Sequence, residues 1–203
     1  MWVKMKKMII GITGLIGDGK SKASNVFKNR GVTVIDVDRF AHKLYKKGTK
    51  FYKKLIKIYG KKILSKNGNI NRNALGKIIF FNKEQYKKFT ALIYPVLNRT
   101  LKNEIEKIKS NIIVLDMAVL FQSGFYKNVD KIIFIRTSDR IWKKRFKRKK
   151  YFNKIFKIRQ IQKENIKTKM IALCDFIVYN NSSEKHLKDK INKILEKFII
   201  LAN

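Results

Sequence analysis

The chain has 203 residues, 45% of them hydrophobic, which is enough for a sizeable core and excludes a disordered tail as its main content. A single cysteine, Cys174, excludes a disulfide framework and a cysteine-rich metal site, and no apolar run approaches the ~18 residues needed to span a bilayer. Forty-nine Lys+Arg against fourteen Asp+Glu give a net charge of +35, but the basic residues are spread over the whole length and come with heavy use of Ile, Asn, Phe and Tyr, so we read drift toward A/T-rich codons rather than a nucleic-acid surface.

Met8-Ile-Ile-Gly-Ile-Thr13 is short, apolar and bounded by glycine, as a buried parallel strand should be. The residues before it are not read as a signal peptide, because the apolar stretch runs straight into the next motif. That motif, Gly14-Leu-Ile-Gly-Asp-Gly-Lys-Ser21, fits the phosphate-binding loop pattern at every specified position. Its backbone N–H groups, from Gly14, Leu15, Ile16, Gly17, Asp18 and Gly19 through Lys20, Ser21 and Lys22, are predicted to surround a nucleoside triphosphate at the positive end of a helix. Lys20 would neutralise the β- and γ-phosphates, and the Ser21 hydroxyl would hold Mg²⁺. The helix itself runs from Lys20 and stops at Gly31.

Val32 to Asp36 reads as a second parallel strand, ending in Asp36-Val-Asp38 at the edge where open α/β sheets place ligands. If the strand stays extended, Asp36 and Asp38 face the same side, and spacing alone does not separate them. Helical spacing then runs from Arg39 to Tyr59 with a break near Gly48, followed by a turn at Asn67-Gly-Asn69. Two further helices, Asn73 to Phe81 and Lys83 to Ser110, follow, the second interrupted or kinked at Tyr94-Pro95. This helical block, residues 50–110, is long for a crossover and reads as a substrate-binding insertion in a single domain.

Asn111 to Asp116 is the third strand, again ending in a carboxylate, and Val129 to Arg136 the fourth. A very basic helix from Ser138 to about Lys150, a helix from Phe152 to Met170 and a short strand, Phe176 to Tyr179, follow. Ser182 or Ser183 caps a closing helix whose apolar face carries Leu187, Ile191, Ile194, Leu195 and Phe198. Five strands alternating with helices predict a three-layer α/β/α sandwich with a parallel sheet. Cys174 is expected to be a buried, inert thiol.

The segment Ile12 to Ser21, followed by Val34-Ile-Asp-Val-Asp38 with Ala41 three residues on, resembles the dephospho-coenzyme A kinase family. The likeness continues through Gly68-Asn-Ile-Asn-Arg72, Tyr94-Pro95, Leu115 to Lys127, Lys144-Arg145 and Ala172 to Asn180, and is collinear from about residue 8 to 199. The resemblance implies phosphorylation of the ribose 3′-hydroxyl of dephospho-coenzyme A by ATP with Mg²⁺; the want of a signal peptide and of a bilayer-spanning run makes a cytoplasmic protein the expectation. It makes Asp38 the base, Asp116 a Mg²⁺ ligand through water, Arg145 a stabiliser of the transferring phosphoryl group and Arg72 a contact to the acceptor. Residues 140–165 would form a lid that excludes water. The chain departs from the family pattern at His42, Tyr94, Ala118, Gln122 and Lys22, and near the end of the lid at Gln160 and Glu164, with Arg159 one position away from the expected arginine. The competing readings are another small-molecule kinase, acting on a nucleoside monophosphate, and a drifted ATP- or nucleic-acid-binding protein. The resemblance implies a small-molecule partner, dephospho-coenzyme A, and we expect a monomer or weak oligomer.

Overall fold

The computed structural model describes residues 7–80, 82–166 and 168–202. The chain divides into two compact units, one of residues 1–36 and 108–203, the other of residues 37–107.

The first unit is built on five parallel strands, β1 (Met8–Gly14), β2 (Thr33–Asp36), β3 (Ile112–Asp116), β4 (Lys131–Arg136) and β5 (Phe176–Tyr179), in the order β2-β3-β1-β4-β5. Helices cover both sides of the sheet, as the sequence predicts. β1 is central, and the apolar run that marks it carries the fully buried Ile10 and Ile12. α1 (Lys20–Asn29) and α9 (Glu184–Ala202) pack against each other on one face. There Ala23 and Phe27 meet Leu187, Ile191, Leu195 and Phe198 over Ile10, Val114 and Ile133 in one core. Of the two serines offered as caps, Ser183 accepts from the His186 N–H (3.3 Å).

The helices after β4 are shorter than their spacing predicts. α6 spans Asp139–Phe146 rather than reaching Lys150, because the aromatic residues that follow fold back: Phe146 stacks on Trp142 at 4.9 Å and Phe152 lies 5.9 Å from it. α7 (Phe152–Asn165) and α8 (Thr168–Ile171) replace the single helix expected to Met170.

The second unit holds α2 (Val37–Leu44), α3 (Lys50–Tyr59), α4 (Arg72–Phe80) and α5 (Lys83–Lys107). Short polar residues start three of them. Thr49 Oγ1 accepts from the Tyr52 N–H, Asn71 Oδ1 from those of Asn73 and Ala74, and Asn82 Oδ1 from those of Glu84 and Gln85. The expected turn at Asn67–Asn69 forms, closed by the Gly68 N–H to the Ser65 carbonyl (2.9 Å). α5 is one helix of 25 residues with Pro95 inside it, so of the interruption or kink expected there the interruption does not occur. Proline removes one hydrogen bond, and burial of Ile93, Leu97, Leu101 and Ile105 along one flank holds the helix through the gap. Among the described residues no helix is long and apolar enough to cross a membrane.

Candidate active site

β1 ends at Gly14 and α1 begins at Lys20, so the intervening loop lies where the first N–H groups of α1 have no intrahelical acceptor. Two glycines show how closely the loop is packed against the rest of the protein. Gly17 has φ +80°, and a Cβ there would stand 2.3 Å from Trp142 Nε1; Gly19 has φ +97°, and its Cβ would stand 2.4 Å from Asn180 Nδ2. Side chains are excluded on both counts, leaving backbone at the positive end of the helix, an anion cradle. Of the N–H groups expected to face a triphosphate, however, those of Leu15, Ile16 and Asp18 are already taken, by Asp18 Oδ2 (2.9 Å), Gln162 Oε1 (2.7 Å) and the Leu15 carbonyl (3.1 Å).

Asp116 is the acid that the fold brings to this cradle. It ends β3, in register with Ile12 of β1 and Asp36 of β2, and is buried. Burial pushes its carboxyl above the usual carboxylate range, and the Asp36 charge adds to this; Lys20 and the hydrogen-bonding hydroxyls of Ser21 and Ser24 pull it back. A hydroxyl and a carboxylate side by side, both hard oxygen donors, suit Mg²⁺. No cluster of three or more His, Cys, Asp or Glu that could hold a metal exists among the described residues. Such a site would have to complete its shell with phosphate oxygens and water.

The extended-strand expectation for Asp36 and Asp38 is not met. β2 ends at Asp36, and α2 starts at Val37, so Asp38 stands in the first helical turn. A helix turns each residue by ~100° rather than alternating them, which gives the two acids different directions. Within the second unit, Asp38 and Arg72 act together on Tyr45: burial raises its phenol pKa most, Arg72 lowers it and Asp38 raises it again. Arg72 Nη1 lies 2.8 Å from a ring nitrogen of His42, one turn along α2 from Asp38. His42 thus serves as a hydrogen-bond partner that holds the Arg72 guanidinium. Tyr94, where the family has histidine, is largely buried, and burial raises its phenol pKa strongly, with Tyr86 adding to the shift.

Arg145 donates from Nη1 to the Asn180 carbonyl (2.9 Å) and from Nη2 to that of Ser182 (2.8 Å). It lines a cavity of about 500 Å³ with Gly17, Gly19, Lys22, Asn180 and Ser182. Lys22 pairs with Glu184 at its exposed rim. The cavity opens on the phosphate loop from the side of the last helix. Ala118 and Gln122 sit half-buried in the segment after β3.

Of the residues that grip the loop, the sequence pointed to Arg159 only as lying one position from an expected arginine, and Trp142 and Gln162 were missed. Trp142 Nε1 donates to the Ile16 carbonyl (2.9 Å), Arg159 Nη1 donates to the same carbonyl (2.9 Å) and to Asp18 Oδ1 (2.8 Å), and Gln162 Oε1 accepts from the Ile16 N–H (2.7 Å). Gln160 and Glu164, aligned with the family landmarks, are exposed, and it is Arg159 and Gln162 that meet the loop. Three residues apart on α7, those two share a face, and this helical spacing was the available signal. Burial pushes the Asp18 carboxyl up, against the opposing pull of Arg159 and the Leu15 and Thr137 amides.

A glycine cradle with Lys20, Ser21 and Asp116, at the carboxyl edge of a parallel sheet, defines a P-loop small-molecule kinase. The comparisons take the assignment further. A sequence model of the dephospho-CoA kinase family matches residues 8–186. A dephospho-CoA kinase from Aquifex aeolicus is 32% identical over 193 residues, covering 93% of this chain and 96% of that one. Among solved structures, TT1252 from Thermus thermophilus superposes with a TM-score of 0.76 at 20% identity, covering 95% of this chain and 98% of that one. A dephospho-CoA kinase from Campylobacter jejuni gives a TM-score of 0.67 at 24% identity, with 94% and 96% covered. The chain belongs to the dephospho-CoA kinase family. It is an enzyme that uses ATP to phosphorylate dephospho-coenzyme A, the final step of coenzyme A synthesis.

Proposed function

We propose how the residues divide this reaction. The loop from Gly14 to Lys22 holds the triphosphate, with Lys20 against the β- and γ-phosphates. Ser21 and Asp116 hold Mg²⁺, whose charge, when bound, offsets that of the phosphates. Asp38 accepts the proton of the ribose 3′-hydroxyl as that oxygen bonds to the γ-phosphorus. The bond from the γ-phosphorus to the β,γ-bridging oxygen breaks, and ADP leaves with the bond's electron pair. Arg72, braced by His42, contacts the acceptor. Arg145 walls the nucleotide side; release of its two carbonyl bonds would free it to meet charge on the transferring group. Residues 140–165 act as the lid, and the enzyme works in the cytoplasm.

The observation that carries this reading is the Asp116 carboxylate, buried at the cradle and hydrogen-bonded by Ser21. For Asp38 the support is its place in the first turn of α2, two residues beyond the Asp36–Asp116 register pair. The test is ADP release coupled to dephospho-coenzyme A, run beside Asp38→Asn. Turnover should depend on the acceptor and fall by about a thousandfold in the variant, the range of a lost general base. Turnover within threefold of wild type would remove Asp38 from the mechanism.

A further inference from the structure

An aspartate inside a loop that binds a triphosphate is a conflict, because its charge repels the ligand. In this chain Asp18 occupies that place between Gly17 and Gly19, and its side chain is fully buried. The carboxylate accepts from the Leu15 N–H of the loop itself (2.9 Å), the Thr137 N–H (3.1 Å) and Arg159 Nη1 (2.8 Å). Its own carbonyl accepts from Asn180 Nδ2 (2.9 Å) and from Thr137 Oγ1 (3.2 Å).

Arg159 is as thoroughly committed. It is 2% exposed, donates to Ile16 and Thr137 carbonyls as well as to Asp18, and lies with its guanidinium 5.0 Å over the Trp142 ring. One turn further along α7, Gln162 takes the Ile16 N–H. Both polar groups of Ile16 and the carboxylate of Asp18 are therefore tied to helices that follow β4. The loop's crest is shaped from outside itself.

We propose that Asp18 and Arg159 form a charge-compensated positioning pair, through which docking of α7 sets the shape of the phosphate loop and cancels a negative charge that would otherwise act on the triphosphate. Neither residue touches the reacting atoms. Arg159 acts through Asp18 and Ile16, so the nucleotide binds well only when α7 is seated. The pair gives a particular energetic signature. Removing Arg159 alone leaves a buried, uncompensated carboxylate beside the ligand, which is worse than removing both charges.

The inference rests on the loop holding the triphosphate, and the experiment separates the two. Steady-state constants are measured for wild type, Arg159→Met, Asp18→Asn, the double variant and Lys20→Ala, varying ATP and dephospho-coenzyme A in turn. Arg159→Met should raise KM for ATP by about thirtyfold or more while leaving KM for the acceptor within about threefold. The double variant should return KM for ATP to within about tenfold of wild type. If Arg159→Met does not fold, the double variant, which has no unpaired buried charge, should fold and show the same recovered KM. A double variant no better than Arg159→Met, or more than a hundredfold weaker for ATP while folded, would overturn the pair's role. So would equal losses for both substrates, which a merely structural bridge would give. ATP binding and turnover by Lys20→Ala close to wild type would instead overturn the placement of the triphosphate in the loop.

Discussion

Gly17→Ala tests whether the loop is built against α6. The new methyl would stand 2.3 Å from Trp142 Nε1 and 2.8–2.9 Å from two carbons of the Phe146 ring, all inside contact distance. Trp142 has nowhere to retreat, being 1% exposed, stacked on Phe146 and backed by Arg159. The φ of +80° adds roughly 1 kcal/mol for any residue with a Cβ. Displacing a packed ring costs about 1–3 kcal/mol, and losing the Trp142 bond to the Ile16 carbonyl about 1 kcal/mol more. The total, about 4 kcal/mol, should lower the melting temperature by about 8–16 °C for a domain of this size, or appear in part as weakened ATP binding if the loop yields first. Thermal melts with and without ATP divide the two routes. Adding Trp142→Phe removes the worst contact and should recover about 1–2 kcal/mol relative to the sum of the single changes. A Gly17→Ala protein with wild-type melting and wild-type KM for ATP, or with no coupling to Trp142→Phe, would refute the account.

Two further outcomes follow from the ionisation of buried groups. Asp116 has a folded-state pKa above its ordinary 3.8, so the native protein holds that proton more tightly than the unfolded chain. Its contribution therefore rises as pH falls from neutrality through the raised value, and the ionised form costs stability above it. Asp116→Asn should abolish turnover yet raise the melting temperature of the ligand-free protein at neutral pH by on the order of 2 °C, with the difference shrinking toward pH 4. A variant less stable than wild type at pH 7 would refute the sign. Burial, then the neighbouring Asp175, pushes the Cys174 thiol up to about 11. Alkylation at pH 8 should thus be much slower in the native protein than in urea, and equal rates would show an open, reactive thiol.

Much of the sheet and the cradle could be read from residues alone, because both rest on local signals. Met8–Thr13 is apolar without alternation, as a central strand must be, and Gly14 to Ser21 follows a fixed pattern set by backbone geometry. Asp116 could be placed at an edge because a parallel strand points its last residue there. What escaped the reading depends on contacts far apart in sequence. The stop of α6 at Phe146 is set by Phe152 and Trp142 folding together, and Pro95 is overridden by the buried flank of α5. The direction of Asp38 turned on whether residue 37 begins a helix or continues a strand, and neither propensity nor spacing decides that for a valine. Arg159 and Gln162 were hidden because they stand three residues apart where the expected pair, at 160 and 164, stands four apart, and only the fold shows that the i, i+3 pair is the one facing the loop.

The distribution of acids bears on the charge of +35. Only fourteen exist, and two of them, Asp18 and Asp116, are buried beside the loop, where a carboxylate costs most unless something specific holds it. The exposed pairs such as Lys22–Glu184 and Lys88–Glu84 have side chains more than half open to solvent and contribute little to holding the fold. An added lysine on such a surface, more than a Debye length (~8–10 Å) from the cradle, is largely screened by salt. A new charge at Asp18 or Asp116 would act directly on the triphosphate cradle. The chain can therefore gather cations over its surface while the electrostatics of the cradle stay under local control, through Lys20 facing Asp116 and Arg159 facing Asp18.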